Sequence, residues 1–255
     1  MRRLLVLWDI DYTLVDAGGV GRVLYQITFR EMFGDQAPQP SPMSGRTDRA
    51  IAIEVLTLAG VPEPQREVDA FHALMAARAP GLADLVRQRG RALPGAARAI
   101  AALAGLSDGQ AARTGGPALG GRRPGLDVVQ SLLTGNIRPL AEVKLGPLGL
   151  TEHLDLDAGA YGSAHANRAE LVPIARRNAA LAYGHDFGGT ATVLVGDTPL
   201  DVGAALATGA RAVGVATGDF TVAELAASGA HAVLPDLADT DQVLAAILGP
   251  PVRSR

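Results

Sequence analysis

Residues 4–13 have the sequence LLVLWDIDYT, in which five apolar residues run directly into a segment with two aspartates. The run Leu4–Trp8 shows no alternation of apolar and polar residues, which is typical of a strand that helices cover on both faces. The sequence therefore predicts a central strand of a parallel sheet at residues 4–8. Asp9 and Asp11 follow at its carboxyl end.

Similar apolar segments recur along the chain and alternate with helical patterns. Further strands are predicted at residues 127–133, 154–160, 191–195, 211–216 and 231–234. Helices are predicted at residues 138–148, 168–183, 199–207, 222–227 and 239–248. This alternation predicts an α/β fold with a doubly wound, Rossmann-like parallel sheet, whose ligand site lies beyond the carboxyl ends of the strands.

Residues 16–92 interrupt this alternation. Three helical stretches follow one another there without an intervening strand: residues 21–33, 47–59 and 64–89. We therefore predict a core formed by residues 1–15 and 93–255, with a helical domain inserted at residues 16–92. Within the core, residues 107–125 are rich in Gly, Arg and Pro and have no apolar period, which predicts a surface loop.

Composition excludes several classes of partner. The 255 residues carry 23 basic and 26 acidic side chains, and only 4% are aromatic, so the chain lacks the cations and rings that nucleic-acid binding requires. With no cysteine there is neither a disulfide nor a thiolate metal site, which suits a reducing compartment. No apolar segment approaches the roughly 20 residues of a membrane span. We expect a cytoplasmic protein without nucleic-acid or membrane partners.

Asp9 and Asp11 form the first candidate site. Two carboxylates two positions apart at a strand end face the same way, and their negative charge requires a cation or a shared proton. Such a pair suits Mg²⁺. The simpler interpretation is that the two aspartates cap the following turn.

Two further strand ends carry polar residues. Thr134-Gly135-Asn136 follows the predicted strand 127–133, and free backbone N–H groups there, with the Thr134 hydroxyl, would hold a phosphate. An ordinary turn and helix cap explains the same residues. Asp197 and Asp201 follow strand 191–195 and offer oxygen ligands for a hard cation. Here the alternative is that Asp197 or Thr198 caps the helix that begins at Pro199.

Together the three strand ends place four carboxylates and a phosphate-binding hydroxyl at one edge of the predicted sheet. This set resembles the haloacid dehalogenase (HAD) superfamily of hydrolases. Its pattern is Asp-x-Asp-x-Thr, then a strand-end Ser or Thr, then Lys or Arg, then Gly-Asp with a further acid. The resemblance covers nearly the whole chain, and it implies that residues 16–92 form the helical (type C1) cap that the superfamily inserts after its first motif.

The third, basic motif has two candidates. Lys144, the single lysine, lies ten residues after Thr134 on the helix behind the second motif, and we expect it to point away from the site. Arg168 opens the helix 168–183 and is the preferred candidate, because an arginine can bind phosphate through two N–H groups. The superfamily usually has a lysine here, and a solvated charge at the helix end is the alternative.

The resemblance implies a Mg²⁺-dependent phosphatase that hydrolyses a small phosphorylated metabolite. Asp9 would attack phosphorus to form an aspartyl-phosphate, while Asp11 protonates the leaving oxygen and later accepts a proton from water. Mg²⁺ would be held by Asp9, Asp11 through its carbonyl, Asp197 and Asp201. The phosphoryl oxygens would be bound by Thr134, Gly135, Asn136 and Arg168.

Substrate choice is expected to depend on the predicted cap. Arg46 and Thr47 are placed like the substrate-facing loop of relatives, and Arg46 could contact an anionic or hydroxylated leaving group. The alternative is that Thr47 only caps the next helix.

Within the superfamily, rival activities differ in identifiable residues. Dehalogenases lack the second acid, here Asp11. Phosphonate-cleaving relatives need a cap lysine, and residues 16–92 contain none. Mutase-like relatives carry a histidine early in the cap, which residues 16–33 lack. A sugar-phosphate mutase and an inactive binding or regulatory protein on the same fold remain the alternatives to a phosphatase.

Overall fold

The computed structural model describes residues 2–34, 36–106 and 125–249. The strands of its main sheet are β1 (Arg2–Trp8), β4 (Leu126–Thr134), β5 (Ala160–Tyr161), β6 (Thr192–Gly196), β7 (Arg211–Val215) and β8 (Ala232–Leu234). They lie in the order β5–β4–β1–β6–β7–β8, and every neighbouring pair is parallel. The predicted central position of β1 is confirmed, since it pairs with β4 on one side and β6 on the other.

Helices cover both faces of this sheet. They are α5 (Ala96–Leu106), α6 (Arg138–Leu145), α7 (Leu171–Tyr183), α8 (Pro199–Ala207), α9 (Val222–Ala227) and α10 (Thr240–Leu248). Leu4, Val6 and Trp8 pack in one hydrophobic cluster with α5, α6 and α10. Leu5 and Leu7 pack in a second cluster with α7 and α8. The absence of alternation in β1 thus reflects burial on both sides, and the predicted α/β class is confirmed.

Four helices lie between β1 and α5. They are α1 (Val20–Phe33), α2 (Asp48–Leu58), α3 (Pro64–Arg78) and α4 (Ala83–Arg89). The single helix predicted over residues 64–89 is wrong, because a 3₁₀ turn at Ala79–Leu82, which contains Pro80 and Gly81, separates α3 from α4. The domain boundaries at residues 16 and 92 stay a prediction.

A short ribbon joins the two ends of this helical segment. The strands β2 (Val15–Asp16) and β3 (Arg91–Ala92) pair in antiparallel fashion. Asp16 also forms an ion pair with Arg91 at 2.7 Å. Strands of two residues have no readable period, so the sequence pattern did not predict them.

The strand predicted at residues 154–160 is largely wrong. The segment contains a 3₁₀ turn at Leu156–Ala158, and only Ala160 belongs to a strand. The side chain of Asp155 accepts hydrogen bonds from the backbone N–H groups of Asp157 and Ala158, which draws the backbone out of the ladder. Of the predicted loop 107–125, all but Gly125 lies outside the described residues. No helix among the described residues has the length and apolar character needed to cross a bilayer.

Candidate active site

The three predicted strand ends meet at one edge of the sheet. Asp9 follows β1, Thr134 ends β4 and Asp197 follows β6, and these three strands are neighbours. All three side chains are buried. The parallel sheet therefore brings together residues that are far apart in the sequence.

Arg168 lies at the centre of this group. Its Nη2 atom is 2.7 Å from Asp9 Oδ1 and 2.6 Å from Asp201 Oδ1. Nη2 also donates to the Leu133 carbonyl, and Nη1 donates to the Gly45 carbonyl, each at 3.1 Å. The side chain is only 5% exposed, so it is not a solvated charge at a helix end. The structure places the preferred basic residue against the proposed nucleophile.

The carboxylates of the group carry more negative charge than Arg168 balances. Burial raises the pKa of Asp9 to about 7, with further increases from Asp201 and Asp11 that the arginine partly offsets. Burial, followed by the charges of Asp9 and Asp201, raises the pKa of Asp197 to about 9. A further cation at this place would favour the charged form of both carboxylates.

The same carboxylates satisfy the requirements of a hard divalent cation. Asp9, Asp197 and Asp201 each offer an oxygen, and the three oxygens lie within 4.8 Å of one another. Beside them, a Cβ atom on Gly218 would lie 2.0 Å from Asp197 Oδ2, so glycine keeps this carboxylate unobstructed. An all-oxygen donor set of this kind suits Mg²⁺.

Asp201 also belongs to a helix cap. Its Oδ2 atom accepts hydrogen bonds from the backbone N–H and the hydroxyl of Thr198, at 3.1 and 2.7 Å, and its own N–H donates to the Thr198 hydroxyl. This capping box begins α8. The cap interpretation is confirmed for Thr198, while the other oxygen of Asp201 still faces Arg168.

The turn after β4 is held tightly in place. Thr134 Oγ1 accepts hydrogen bonds from the backbone N–H and the side-chain amide of Asn136, at 3.2 and 2.8 Å. A Cβ atom on Gly135 would lie 1.9 Å from the Arg46 carbonyl oxygen, so only glycine allows the chain before α2 to approach. The Gly135 carbonyl accepts a 2.6 Å hydrogen bond from the N–H of Asp48. The start of α2 therefore lies directly against the predicted phosphate-binding turn.

The expectation that Lys144 points away from the site is wrong. Its Nζ atom lies 2.7 and 2.6 Å from the two carboxylate oxygens of Asp11 and 2.7 Å from Asn136 Oδ1. The reason is the position of Lys144 on the buried face of α6. Ile137, Leu140, Ala141 and Lys144 recur at a spacing of three and four residues, and all four are buried. That periodicity was present in the sequence and would have predicted an inward-facing lysine.

A cavity of about 640 Å³ opens over these residues. Its lining includes Asp9, Asp11 and Lys144, together with Arg22 and Arg46 from the helical segment between β1 and α5. The guanidinium of Arg46 is held by Glu54 at 2.6 Å. Arg22 and Arg46, with the other charged residues of the lining, suit a small anionic or hydroxylated ligand.

The structure gives no support to the expected substrate contact of Thr47. Thr47 is fully buried outside this lining, and its hydroxyl caps α2 and donates to the Ala166 carbonyl. Its neighbour Asp48, which was not singled out from the sequence, does line the cavity. Asp48 Oδ2 accepts a 2.7 Å hydrogen bond from the N–H of Ile137, and Tyr25 donates to Oδ1 at 3.1 Å. Burial raises the pKa of Asp48 to about 6.

Comparisons with known proteins agree with this fold. Residues 169–240 match a family model described as HAD-hydrolase-like. No curated protein sequence matches the chain. A hydrolase from Pseudomonas syringae is 17% identical with a TM-score of 0.58, over 94% of this chain and 96% of that one.

Two further solved structures show the same similarity over nearly the whole chain. A predicted phosphatase from Clostridium acetobutylicum is 14% identical with a TM-score of 0.61, over 96% of this chain and 99% of that one. CbbY from Rhodobacter sphaeroides, solved in complex with phosphate, is 18% identical with a TM-score of 0.58, over 93% and 96% of the two chains. The protein thus has the fold of the HAD superfamily, and the resemblance drawn from its motifs is confirmed.

Proposed function

We propose that the protein is a Mg²⁺-dependent phosphatase that hydrolyses a small phosphorylated metabolite through an aspartyl-phosphate on Asp9. One observation carries the proposal. A buried carboxylate, Asp9, lies in a polar cavity with a guanidinium against one of its oxygens and the Thr134 turn beside it. A nucleophile and donors for phosphoryl oxygens are therefore available in one place.

The contacts of Asp9 support different tasks for its two oxygens. Arg168 binds Oδ1, so we assign the attack on phosphorus to Oδ2. The Asp9–phosphorus bond forms as the bond to the leaving oxygen breaks, and Asp11 gives that oxygen a proton. Thr134, the backbone of Gly135 and Arg168 bind the phosphoryl oxygens, where charge develops in the transition state. The N–H groups of Asn136 already donate to Thr134 and Asp11, so Asn136 holds the turn and Asp11 instead of the phosphate predicted for it. Water then attacks phosphorus and gives its proton to Asp11 as the Asp9–phosphorus bond breaks, which releases phosphate and regenerates the Asp9 carboxylate.

Asp9, Asp197 and Asp201, with the carbonyl of Asp11, would hold the cation. Mg²⁺ bound there supplies positive charge that offsets the repulsion between the carboxylates and the phosphoryl group. Arg46, held by Glu54 at the cavity wall, would contact the leaving group and so contribute to substrate choice. The cytoplasmic location and the absence of nucleic-acid partners stay predictions.

The comparisons support phosphoryl chemistry without separating its types. One neighbour is described as a predicted phosphatase, another as a putative β-phosphoglucomutase from Bacteroides vulgatus, and a mutant of CbbY was solved with xylulose 1,5-bisphosphate. Each description applies to that protein. The intact pair Asp9 and Asp11 argues against a binding protein that has lost catalysis.

The test measures release of inorganic phosphate from p-nitrophenyl phosphate and from a panel of sugar phosphates, with Mg²⁺ and with EDTA. We expect release that EDTA abolishes and Mg²⁺ restores, and none from an Asp9→Asn variant. Isomerised sugar phosphate without phosphate release would favour the mutase. Binding of phosphorylated ligands without turnover would favour the binding protein.

A further inference from the structure

Lys144 is a buried cation that the proposed chemistry leaves without a role. Its side chain is 5% exposed, and its Nζ atom has three acceptors within 2.7 Å: both oxygens of Asp11 and Oδ1 of Asn136. An ammonium has three protons, so this set uses all of them. A side chain so completely engaged has a defined position, unlike a solvated lysine.

Lys144 does not occupy the position of Arg168, the candidate for binding the phosphoryl oxygens. The guanidinium of Arg168 contacts Asp9 and Asp201, whereas the ammonium contacts Asp11. The two cations therefore serve different carboxylates of the first motif.

The side chains of Lys144 and Asn136 together fix the position of the Asp11 carboxylate. Asn136 donates to Asp11 Oδ2 at 2.8 Å through its side-chain amide, and it accepts from Lys144 through the amide oxygen. Gly21, in the first turn of α1, lies close enough that a Cβ atom there would be 3.7 Å from Nζ. The Asp11 side chain is still 38% exposed, and Asp11 lines the cavity. Both oxygens of the carboxyl group are thus held, while part of the group stays open to the cavity.

We propose that Lys144 is a positioning residue, which with Asn136 orients the Asp11 carboxyl group toward the leaving oxygen of the substrate. The inference rests on the proposed function. As the Asp9–phosphorus bond forms and the bond to the leaving oxygen breaks, the proton of Asp11 passes to that oxygen. Asp11 becomes the carboxylate that Lys144 and Asn136 bind in the structure. The later proton from water returns to the same oriented group.

The test compares Lys144→Met with the wild-type protein on three substrates of similar shape: p-nitrophenyl, phenyl and 4-methylphenyl phosphate. The nitrophenolate leaves readily without being protonated. The other two leaving groups are more basic, so their departure depends more strongly on a proton from the general acid. We expect kcat/KM of Lys144→Met to fall by less than about 10-fold on the nitrophenyl ester and by roughly 10²-fold or more on the other two, within the range of general-acid assistance.

Arg138→Met is the matched control, because Arg138 lies on the same helix but pairs with Glu142 and Asp157 away from the cavity lining. It should leave all three rates near those of the wild type. Lys144→Gln keeps an N–H donor, so its kcat/KM should lie between those of Lys144→Met and the wild type. If Lys144→Met does not fold, Lys144→Gln takes its place in the comparison. An equal loss on all three esters, or no loss, would overturn the proposal. Failure of the wild-type protein to hydrolyse any ester would instead refute the proposed function.

Discussion

Replacing Arg168 by Gln should destabilise the protein strongly in the absence of metal. The guanidinium contacts the buried carboxylates of Asp9 and Asp201 at 2.7 and 2.6 Å. Glutamine carries no charge, so both carboxylates lose their buried partner. Breaking a buried ion pair by removing one member costs about 3–5 kcal/mol. For a chain of this size each kcal/mol lowers Tm by about 2–4 °C, so Tm in EDTA should fall by roughly 6–20 °C.

Mg²⁺ and pH should both change the stability of this variant. Added Mg²⁺ should recover part of the loss, since a cation bound by Asp9, Asp197 and Asp201 replaces the missing positive charge. The loss should also be smaller at pH 5 than at pH 8. The pKa of Asp9 is about 7 even beside Arg168, so at low pH a proton neutralises the unpaired group.

Arg176→Gln is the control for this experiment. Arg176 donates to three neutral acceptors, the Thr192 hydroxyl and the carbonyls of Thr208 and Gly189, each at 2.9 Å. Its loss should cost about 1–2 kcal/mol, with no dependence on Mg²⁺. Chemical denaturation in EDTA and in Mg²⁺, at both pH values, measures all of these quantities. A loss at Arg168 below about 1 kcal/mol, or one equal in EDTA and Mg²⁺, would refute the reasoning.

Three further predictions concern Asp11, Gly135 and Asp48. Asp11→Asn should reduce kcat/KM for phenyl phosphate by roughly 10²–10⁴-fold, the usual effect of losing general acid–base help, and a near-normal rate would contradict its role. Gly135→Ala should lower the free energy of unfolding by at least about 1–3 kcal/mol, because the new Cβ would lie 1.9 Å from the Arg46 carbonyl oxygen. The control is Gly203→Ala, on α8 with open space around it, which should instead stabilise the protein by about 0.5–1 kcal/mol. Burial raises the pKa of Asp48 from 3.8 to about 6, so its protonated form stabilises the fold at low pH and this contribution is lost as pH rises through 6. The unfolding free energy of Asp48→Asn relative to the wild type should therefore rise by about 1 kcal/mol from pH 5 to pH 8, and a constant difference would contradict this pKa.

The sequence alone determined the centre of the fold and which strand ends meet at one edge of the sheet. An apolar run without alternation has to be buried on both faces, which is enough to predict that β1 is a central strand. Strands that alternate with helices run parallel, and their carboxyl ends share one edge. Asp9, Thr134 and Asp197 could therefore be assigned to one site from strand ends alone. The choice of Arg168 depends on the resemblance to the HAD pattern, and the structure places this residue in the 3₁₀ turn Arg168–Glu170 that precedes α7.

Only the tertiary structure decided which side chains face one another across the site. Lys144 lies against Asp11 because the buried face of α6 turns toward the first motif, and that orientation depends on packing between distant elements. Thr47 caps α2, whereas the next residue, Asp48, lines the cavity. This difference of one residue depends on where α2 begins, and that position is fixed by the hydrogen bond from Asp48 to the Gly135 carbonyl. Most of the segment 154–160 lies outside the sheet, because the side chain of Asp155 accepts hydrogen bonds from the backbone N–H groups of Asp157 and Ala158. Periodicity records which residues are buried, whereas these contacts depend on which partner each buried residue meets.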